Sequence, residues 1–268
     1  MDRYVVIGNP VAHSRSPLIH SRFAAQMRET IDYDRLFVPL GAFDEHALRF
    51  FAAGGRGANV TLPFKVDAYR FAHARSDRAR AAGAANLLAA REDGVFADNT
   101  DGAGLVADLV RNLGIAIAGR RVLMVGAGGA ARGVLAPLLA ERPALLAIAN
   151  RTPARALDLA TRFASAGPVE AIGFDAVSDA FDLVVNATSS STLGENLILP
   201  EGAIAAGTCV YDMAYGEAAN AFLDQAREHG ARVSDGLGML VEQAAESWLV
   251  WRGTRPQTAA VLAELRAA

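Results

Sequence analysis

Arg121-Val122-Leu123-Met124-Val125-Gly126-Ala127-Gly128-Gly129-Ala130-Ala131 decides the fold of this chain. Four apolar residues in a row read as a buried strand. The loop behind them carries nothing larger than a methyl group, and a helical segment runs from Arg132 to about residue 140. Missing side chains at such a junction let the backbone turn tightly and approach a pyrophosphate, whose charge the helix N-terminus favours. Gly126, Ala127, Gly128, Gly129 and Ala130 are therefore expected to cradle a dinucleotide. A glycine loop alone is a weak signal in an Ala/Gly-rich chain; the strand before it and the helix after it carry the reading. The next strand, residues 144–149, ends in Asn150-Arg151-Thr152, with Arg155 a short step later. An NAD site usually places Asp or Glu here for the ribose 2′-hydroxyl, whereas a 2′-phosphate needs cations. Arg151 and Arg155 suit that phosphate, and Asn150 and Thr152 add neutral hydrogen bonds. The expected cofactor is NADP(H).

Outward from this unit the rhythm repeats. Helix 153–164 and strands 183–186 and 208–211 continue it, and strands alternating with helices at this spacing argue for a parallel doubly wound sheet. On the N-terminal side, residues 4–8, 36–38 and 57–60 read as strands. Segments from Pro17 to about residue 28 and from Asp44 to about residue 53 read as helices. Residues 86–89 and 95–97 flank Asp93-Gly94, which predicts a hairpin turn. The first hundred residues thus read as βαβ-like with an antiparallel addition. Residues 240–251 and 256–265 read as two closing helices, with Trp248 and Trp251 packing the first. A change of pattern near Asp101-Gly102 marks the domain boundary.

Composition narrows the function. With 52% hydrophobic and 21% charged residues, the 268-residue chain can bury a real core. The formal charge of −3 and scattered arginines give no basic stripe for nucleic acid. Cys209 is alone, which excludes a disulfide framework and a cysteine-rich metal site; it reads as a small core residue in a reducing compartment. The five histidines lack metal-ligand spacing, so no metal is expected. Residues 183–194, the longest run free of acidic and basic side chains, are too short to span a bilayer. Met1-Asp2-Arg3-Tyr4 has no signal-peptide form. The expectation is a cytoplasmic protein without membrane partners. Of the 26 basic residues 25 are arginine, and the one lysine is Lys65. An ammonium that can lose its proton does what guanidinium cannot.

Chemistry has to come from outside the cofactor loop, and the candidates cluster in loops after strands, where ligands bind in open α/β sheets. Ser14-Arg15-Ser16 offers two hydroxyls suited to a carboxylate, with helix capping by Ser16 as the plainer alternative. Asn59, Thr61 and Lys65 surround Pro63, Asn86 begins a later strand, and Asn99-Thr100-Asp101-Gly102 closes the set.

Taken together, these blocks strongly resemble the shikimate dehydrogenase family. The resemblance is carried by Gly8-Asn9-Pro10, His13-Ser14-Arg15-Ser16-Pro17, Asn59-Val60-Thr61-Leu62-Pro63-Phe64-Lys65, Gly83-Ala84-Ala85-Asn86 and Asp98-Asn99-Thr100-Asp101-Gly102. It continues through Gly126-Ala127-Gly128-Gly129-Ala130, Asn150-Arg151-Thr152, Asn186-Ala187-Thr188-Ser189, Tyr211-Asp212-Met213-Ala214-Tyr215 and Asp235-Gly236-Leu237-Gly238-Met239-Leu240. In order and spacing they cover essentially the whole chain.

The resemblance implies an N-terminal α/β substrate domain over residues 1–101, completed by residues 238–268, and a Rossmann-type NADP-binding domain over 102–237. The active site is expected in a cleft between them. It also implies reversible NADPH-dependent reduction of 3-dehydroshikimate to shikimate by a monomer or homodimer. By position, Lys65 and Asp101 resemble the family's catalytic pair, and Ser14, Ser16 and Tyr215 its carboxylate contacts. Asn59, Thr61, Asn86 and Gln243 resemble its contacts to ring hydroxyls; Asp77, Met213 and Gly236 match positions near the cofactor. Two stretches depart from the family pattern. Ser190-Ser191-Thr192-Leu193 precede the next glycine and alter the loop towards Pro200. Ala214 stands where relatives often carry a bulkier residue, which implies looser packing near nicotinamide. Quinate/shikimate dehydrogenase is the rival reading, disfavoured by two serines where quinate-active relatives tend to have a threonine. An inactive NADPH-binding regulator is a second, disfavoured by the intact Lys65/Asp101 pair.

Overall fold

The computed structural model describes residues 1–177, 179–195, 197 and 202–267. The chain forms two compact units, one of Met1–Gly104 together with the chain from Leu240 onward, the other of Leu105–Met239. Pro200 lies outside the described residues, as does Ala268.

The first unit begins β1 (Asp2–Gly8), α1 (Ser16–Met27), β2 (Ile31–Phe37), α2 (Phe43–Ala52) and β3 (Gly55–Val60). It continues α3 (Lys65–Phe71), β4 (Ala74–Arg75), α4 (Asp77–Ala82), β5 (Leu87–Arg91) and β6 (Gly94–Asp98). One six-stranded sheet has the order β2-β1-β3-β5-β6-β4. β1 pairs in parallel with β2 and β3, whereas β3–β5 and β5–β6 are antiparallel. Val5, Ile7, Val38, Phe43, Phe50, Val60, Phe64 and Leu88 fill its core. β2 runs well ahead of the predicted 36–38 because it is an edge strand: Ile31-Asp32-Tyr33-Asp34-Arg35 alternates, and its polar half meets solvent. The hairpin turn is Glu92-Asp93 instead of Asp93-Gly94. Gly94 pairs with Arg91 at φ +122°, and a Cβ there would stand 2.7 Å from the His73 ring. Its glycine character serves the strand's close approach to His73.

α5 (Asp101–Ala107) passes into a π-helical turn at Asp108–Asn112. The second unit then alternates β7 (Arg121–Val125), α6 (Gly129–Ala140), β8 (Leu145–Ala149), α7 (Pro153–Phe163) and β9 (Val169–Ile172). Its other half is β10 (Leu183–Asn186), α8 (Ser190–Leu193), β11 (Cys209–Asp212), α9 (Glu217–Glu228) and β12 (Arg232–Asp235). All six strands are parallel, in the order β12-β11-β10-β7-β8-β9. This is the doubly wound order, with the chain switching direction between β7 and β10. Leu123, Val125, Ala147, Val184, Val210, Phe222 and Leu223 pack one face, and Cys209 is buried in β11.

α10 (Leu237–Arg252) and α11 (Ala259–Ala267) close the chain. Trp248 is buried in the first unit, and Trp251 Nε1 donates to the Leu88 carbonyl at 3.0 Å. Gly57 makes room for that indole, since a Cβ would lie 2.4 Å from its nitrogen. α11 starts later than the predicted Pro256 because Gln257 is pinned to α1. Its N–H donates to Gln26 Oε1 at 2.7 Å, and its carbonyl accepts from Gln26 Nε2 at 3.2 Å. No helix among the described residues is long and apolar enough to cross a membrane.

Candidate active site

The first unit gathers its polar side chains around the junction of β3, β5, β6 and α10. Lys65 opens α3 directly after the Thr61–Phe64 turn, and Asp101 opens α5, where a carboxylate suits the positive end of the helix. Lys65 Nζ donates to Asp101 Oδ2 at 2.6 Å. The side chains are 19% and 7% exposed, so the ammonium is the more accessible partner and the carboxylate the more deeply buried. The other carboxylate oxygen, Oδ1, accepts from Asn86 Nδ2 at 2.8 Å. Asn86 cannot flip without loss, because its carbonyl takes the Thr100 N–H at 2.8 Å. Its amide also reaches Thr100 Oγ1 at 2.9 Å and Gln243 Oε1 at 3.2 Å. Gln243 is fixed in turn by donation from Nε2 to the Leu240 carbonyl at 2.8 Å. Beneath this turn, buried Asp98 accepts from the Asn99 N–H at 2.7 Å, from Ser76 and from Arg78, which sets where residues 99–101 begin.

A second layer was not legible from motifs. Asn59 is buried, with Nδ2 donating to Ser247 Oγ at 2.9 Å and Oδ1 accepting from Tyr33 OH at 2.7 Å. His20 Nε2 lies 3.2 Å from the same Oδ1, and this amide orientation assigns the proton to Nε2. Burial lowers the His20 pKa to about 3, so the ring is neutral near pH 7; it stacks on Tyr33 with centroids 4.4 Å apart. Burial likewise pushes the Tyr33 phenol up, opposed in part by the nearby Ser16 hydroxyl. Tyr33, Ser247 and His20 thus converge on Asn59. The available signal was the alternation of the edge strand, which aims Tyr33 inward, and the one-turn step from Gln243 to Ser247 on α10.

Ser14 Oγ donates to Ser16 Oγ at 3.2 Å, and Arg35 holds the Ser14 carbonyl with contacts of 2.6 and 3.1 Å. Ser16 does not cap α1: Arg15 occupies the N-cap position and no side chain caps the helix. The Ser16 hydroxyl instead accepts from Ser14. Thr61 follows β3 and packs against Gly8, where a Cβ would lie 2.5 Å from the threonine methyl. Asp77 stands apart from this cluster, fully exposed at the start of α4 and paired with Arg80 at 2.9 Å.

In the second unit the glycine loop caps the C-terminal end of β7. Gly126 adopts φ +109°, and a Cβ there would press to 3.0 Å on the Thr188 methyl and 3.1 Å on the Ala187 backbone. At Gly128 and Gly129 an added Cβ would meet none of the described residues within 4 Å, so the backbone stands open to them on that side. Among the described residues no side chain caps α6, which leaves its first-turn N–H groups for an anion. Ala130 continues the first turn. Asn150 Nδ2 donates to the Thr152 carbonyl at 3.0 Å, and Arg151 and Arg155 are exposed beyond β8, with no acidic residue from 150 to 155. The open glycines, the uncapped helix and the two cations fit a dinucleotide carrying a 2′-phosphate. The Asn186-Ala187-Thr188-Ser189 turn is tied by Asn186 Oδ1, which accepts from the Thr188 N–H at 3.0 Å. Met213 and Gly236 directly follow neighbouring strands β11 and β12 and meet: a Cβ at Gly236 would lie 2.3 Å from the Met213 carbonyl oxygen. Tyr215 follows two residues after Met213, in the loop after β11.

Comparison with known proteins agrees with this architecture. Residues 6–88 match the shikimate dehydrogenase substrate binding domain, residues 108–206 the shikimate/quinate 5-dehydrogenase domain, and residues 236–266 the shikimate 5′-dehydrogenase C-terminal domain. A protein of Janthinobacterium sp. (strain Marseille) named shikimate dehydrogenase (NADP(+)) is 56% identical over 99% of this chain and 97% of its own length. Among solved structures, an Ael1 enzyme from Pseudomonas putida is similar at TM-score 0.90 and 44% identity, over 99% of this chain and 98% of that one. Shikimate 5-dehydrogenase from Thermus thermophilus, in complex with NADP(H) and shikimate, is similar at TM-score 0.85 and 30% identity, over 100% and 99%. Matches that span both units, over a fold whose glycine loop and polar cluster stand where the motifs put them, establish that this chain belongs to the shikimate dehydrogenase family.

Proposed function

We propose that this chain catalyses the reversible NADPH-dependent reduction of 3-dehydroshikimate to shikimate. The observation that carries the reading is the Lys65–Asp101 pair, held at 2.6 Å and braced from behind by Asn86. When bound, NADPH supplies the hydride. Lys65 stabilises the charge that develops on the carbonyl oxygen and delivers a proton to it, and takes the proton back in the oxidative direction. Asp101 keeps the ammonium in place and accepts a hydrogen bond from the new hydroxyl. Ser14 and Ser16, with Tyr215, hold the substrate carboxylate; Asn59, Thr61, Asn86 and Gln243 meet the ring hydroxyls. The loop 126–130, Asn150, Arg151, Thr152 and Arg155 hold the dinucleotide, with Asp77, Met213 and Gly236 beside it.

Initial rates for shikimate and quinate, each with NADP and with NAD, test substrate and cofactor together. Shikimate with NADP should dominate. Rates with quinate and NAD that approach it would reverse the reading in favour of a quinate/shikimate enzyme, and no turnover at all would favour a binding protein.

A further inference from the structure

Arg151, the cation expected to receive the 2′-phosphate, is not idle: its Nη2 lies 3.6 Å from Glu195 Oε2. The two residues follow β8 and β10, the strands on either side of β7. Their pair therefore joins the loops that flank the glycine loop. Glu195 is placed there by backbone geometry. Gly194 ends α8 in the left-handed region at φ +71°, its N–H on the Ser191 carbonyl at 3.3 Å, and the Glu195 N–H closes on the Ser190 carbonyl at 2.8 Å. That closing pattern fixes the residue after the glycine relative to the helix. α8 is itself anchored, because Ser191 Oγ donates to Asp212 Oδ2 at 2.6 Å and accepts from Asn186 Nδ2 at 3.2 Å. Ser190 Oγ lies 3.5 Å from the Glu195 carboxylate. The residues that depart from the family pattern, Ser190-Ser191-Thr192-Leu193, are thus the ones that form α8 and deliver Glu195.

We propose that Glu195 is a specificity-determining residue for the cofactor, its carboxylate competing with the 2′-phosphate for Arg151. Carboxylate and phosphate are both anionic acceptors for guanidinium, and they repel one another at a shared donor. A dinucleotide with a 2′-phosphate must displace Glu195, whereas one with a 2′-hydroxyl leaves the pair intact. Glu195 therefore narrows the preference for NADP(H) that Arg151 creates. Both side chains are well exposed, at 80% and 48%, so the effect has the size of a surface ion pair. This rests on the assignment of Arg151 to the 2′-phosphate.

Calorimetric titration with NADP⁺ and NAD⁺ of the parent protein, Glu195→Gln, Arg151→Gln and the double variant separates the two claims. Glu195→Gln should tighten NADP⁺ roughly two- to fivefold and leave NAD⁺ unchanged. In the Arg151→Gln background the same change should have no effect. Unchanged NADP⁺ affinity in Glu195→Gln, beside a clear loss in Arg151→Gln, overturns the competition and keeps Arg151. Equal tightening of both nucleotides also overturns it. An Arg151→Gln variant that binds NADP⁺ normally overturns both assignments.

Discussion

Replacing Lys65 by methionine keeps an unbranched side chain only one atom shorter and removes its charge and its proton. In the native site the ammonium donates to Asp101 Oδ2 at 2.6 Å. Its loss leaves the developing alkoxide without a proton donor, which costs roughly 10²–10⁴-fold in turnover, or about 2.7–5.5 kcal/mol of barrier. Michaelis constants should move little, because Ser14, Ser16, Asn86 and Gln243 are untouched. Asp101 loses one of two partners but keeps Asn86, so the stability cost is about 1–3 kcal/mol. At this chain length that lowers the melting temperature by about 2–4 °C per kcal/mol. Lys65→Arg separates the two duties of the ammonium, since guanidinium keeps a charge and cannot give up a proton at ordinary pH. It should lose nearly as much turnover as the methionine variant. Steady-state rates in both directions, at temperatures where calorimetry shows the variants folded, make the measurement. A Lys65→Met enzyme within tenfold of the parent kcat would refute the proton-transfer role. An arginine variant that recovers most of the rate would reduce Lys65 to charge stabilisation. As the one lysine, Lys65 also permits a chemical version. Amine-directed modification should strike it and the α-amino group alone, abolish activity, and be slowed by shikimate.

Two further outcomes follow from the geometry. His20 has its pKa lowered from 6.5 to about 3 by burial, so between those values the unfolded chain binds a proton that the native ring refuses. Stability from this group is full above pH 6.5 and falls by about 1.4 kcal/mol per pH unit on acidification, roughly 2 kcal/mol by pH 5. Urea unfolding of His20→Asn against pH should show an acid limb flatter by one proton; an unchanged slope would place the ring elsewhere. Gly126→Ala forces a side chain into φ +109° and onto the Ala187 backbone. It should cost on the order of 1–3 kcal/mol and weaken NADP⁺ binding at least tenfold, read by thermal melts and calorimetry. Parent-like affinity would show that the loop does not shape the cradle.

How far the sequence could be read depended on the range of the forces involved. β7, its glycine loop and α6 were legible because a buried parallel strand is uniformly apolar and the loop's requirement is local. Edge strands were legible only in part: β2 was caught at its end, and the four-residue β9 and β12 gave no distinct run, since half-exposed strands dilute the hydrophobic signal. Ser16 read also as a cap, and only the backbone entry to α1, with Arg15 at the N-cap, puts it one position too late for that. No local pattern pairs Glu195 with Arg151; the left-handed turn at Gly194 brings them together.

The sequence by itself determined the doubly wound cofactor unit, the choice of a 2′-phosphate over a free hydroxyl, and Lys65 as the residue with a chemical reason to be there. Those follow from residue type and short spacing. Only the tertiary structure decided what holds that lysine and its partners still. Ser247, Tyr33 and His20 come from α10, β2 and α1, far from Asn59 in the chain. A buried amide must satisfy each donor and acceptor with whatever the fold brings within about 3 Å. No local pattern encodes that matching, because it exists only once the sheet, the edge strand and the returning helix have packed together.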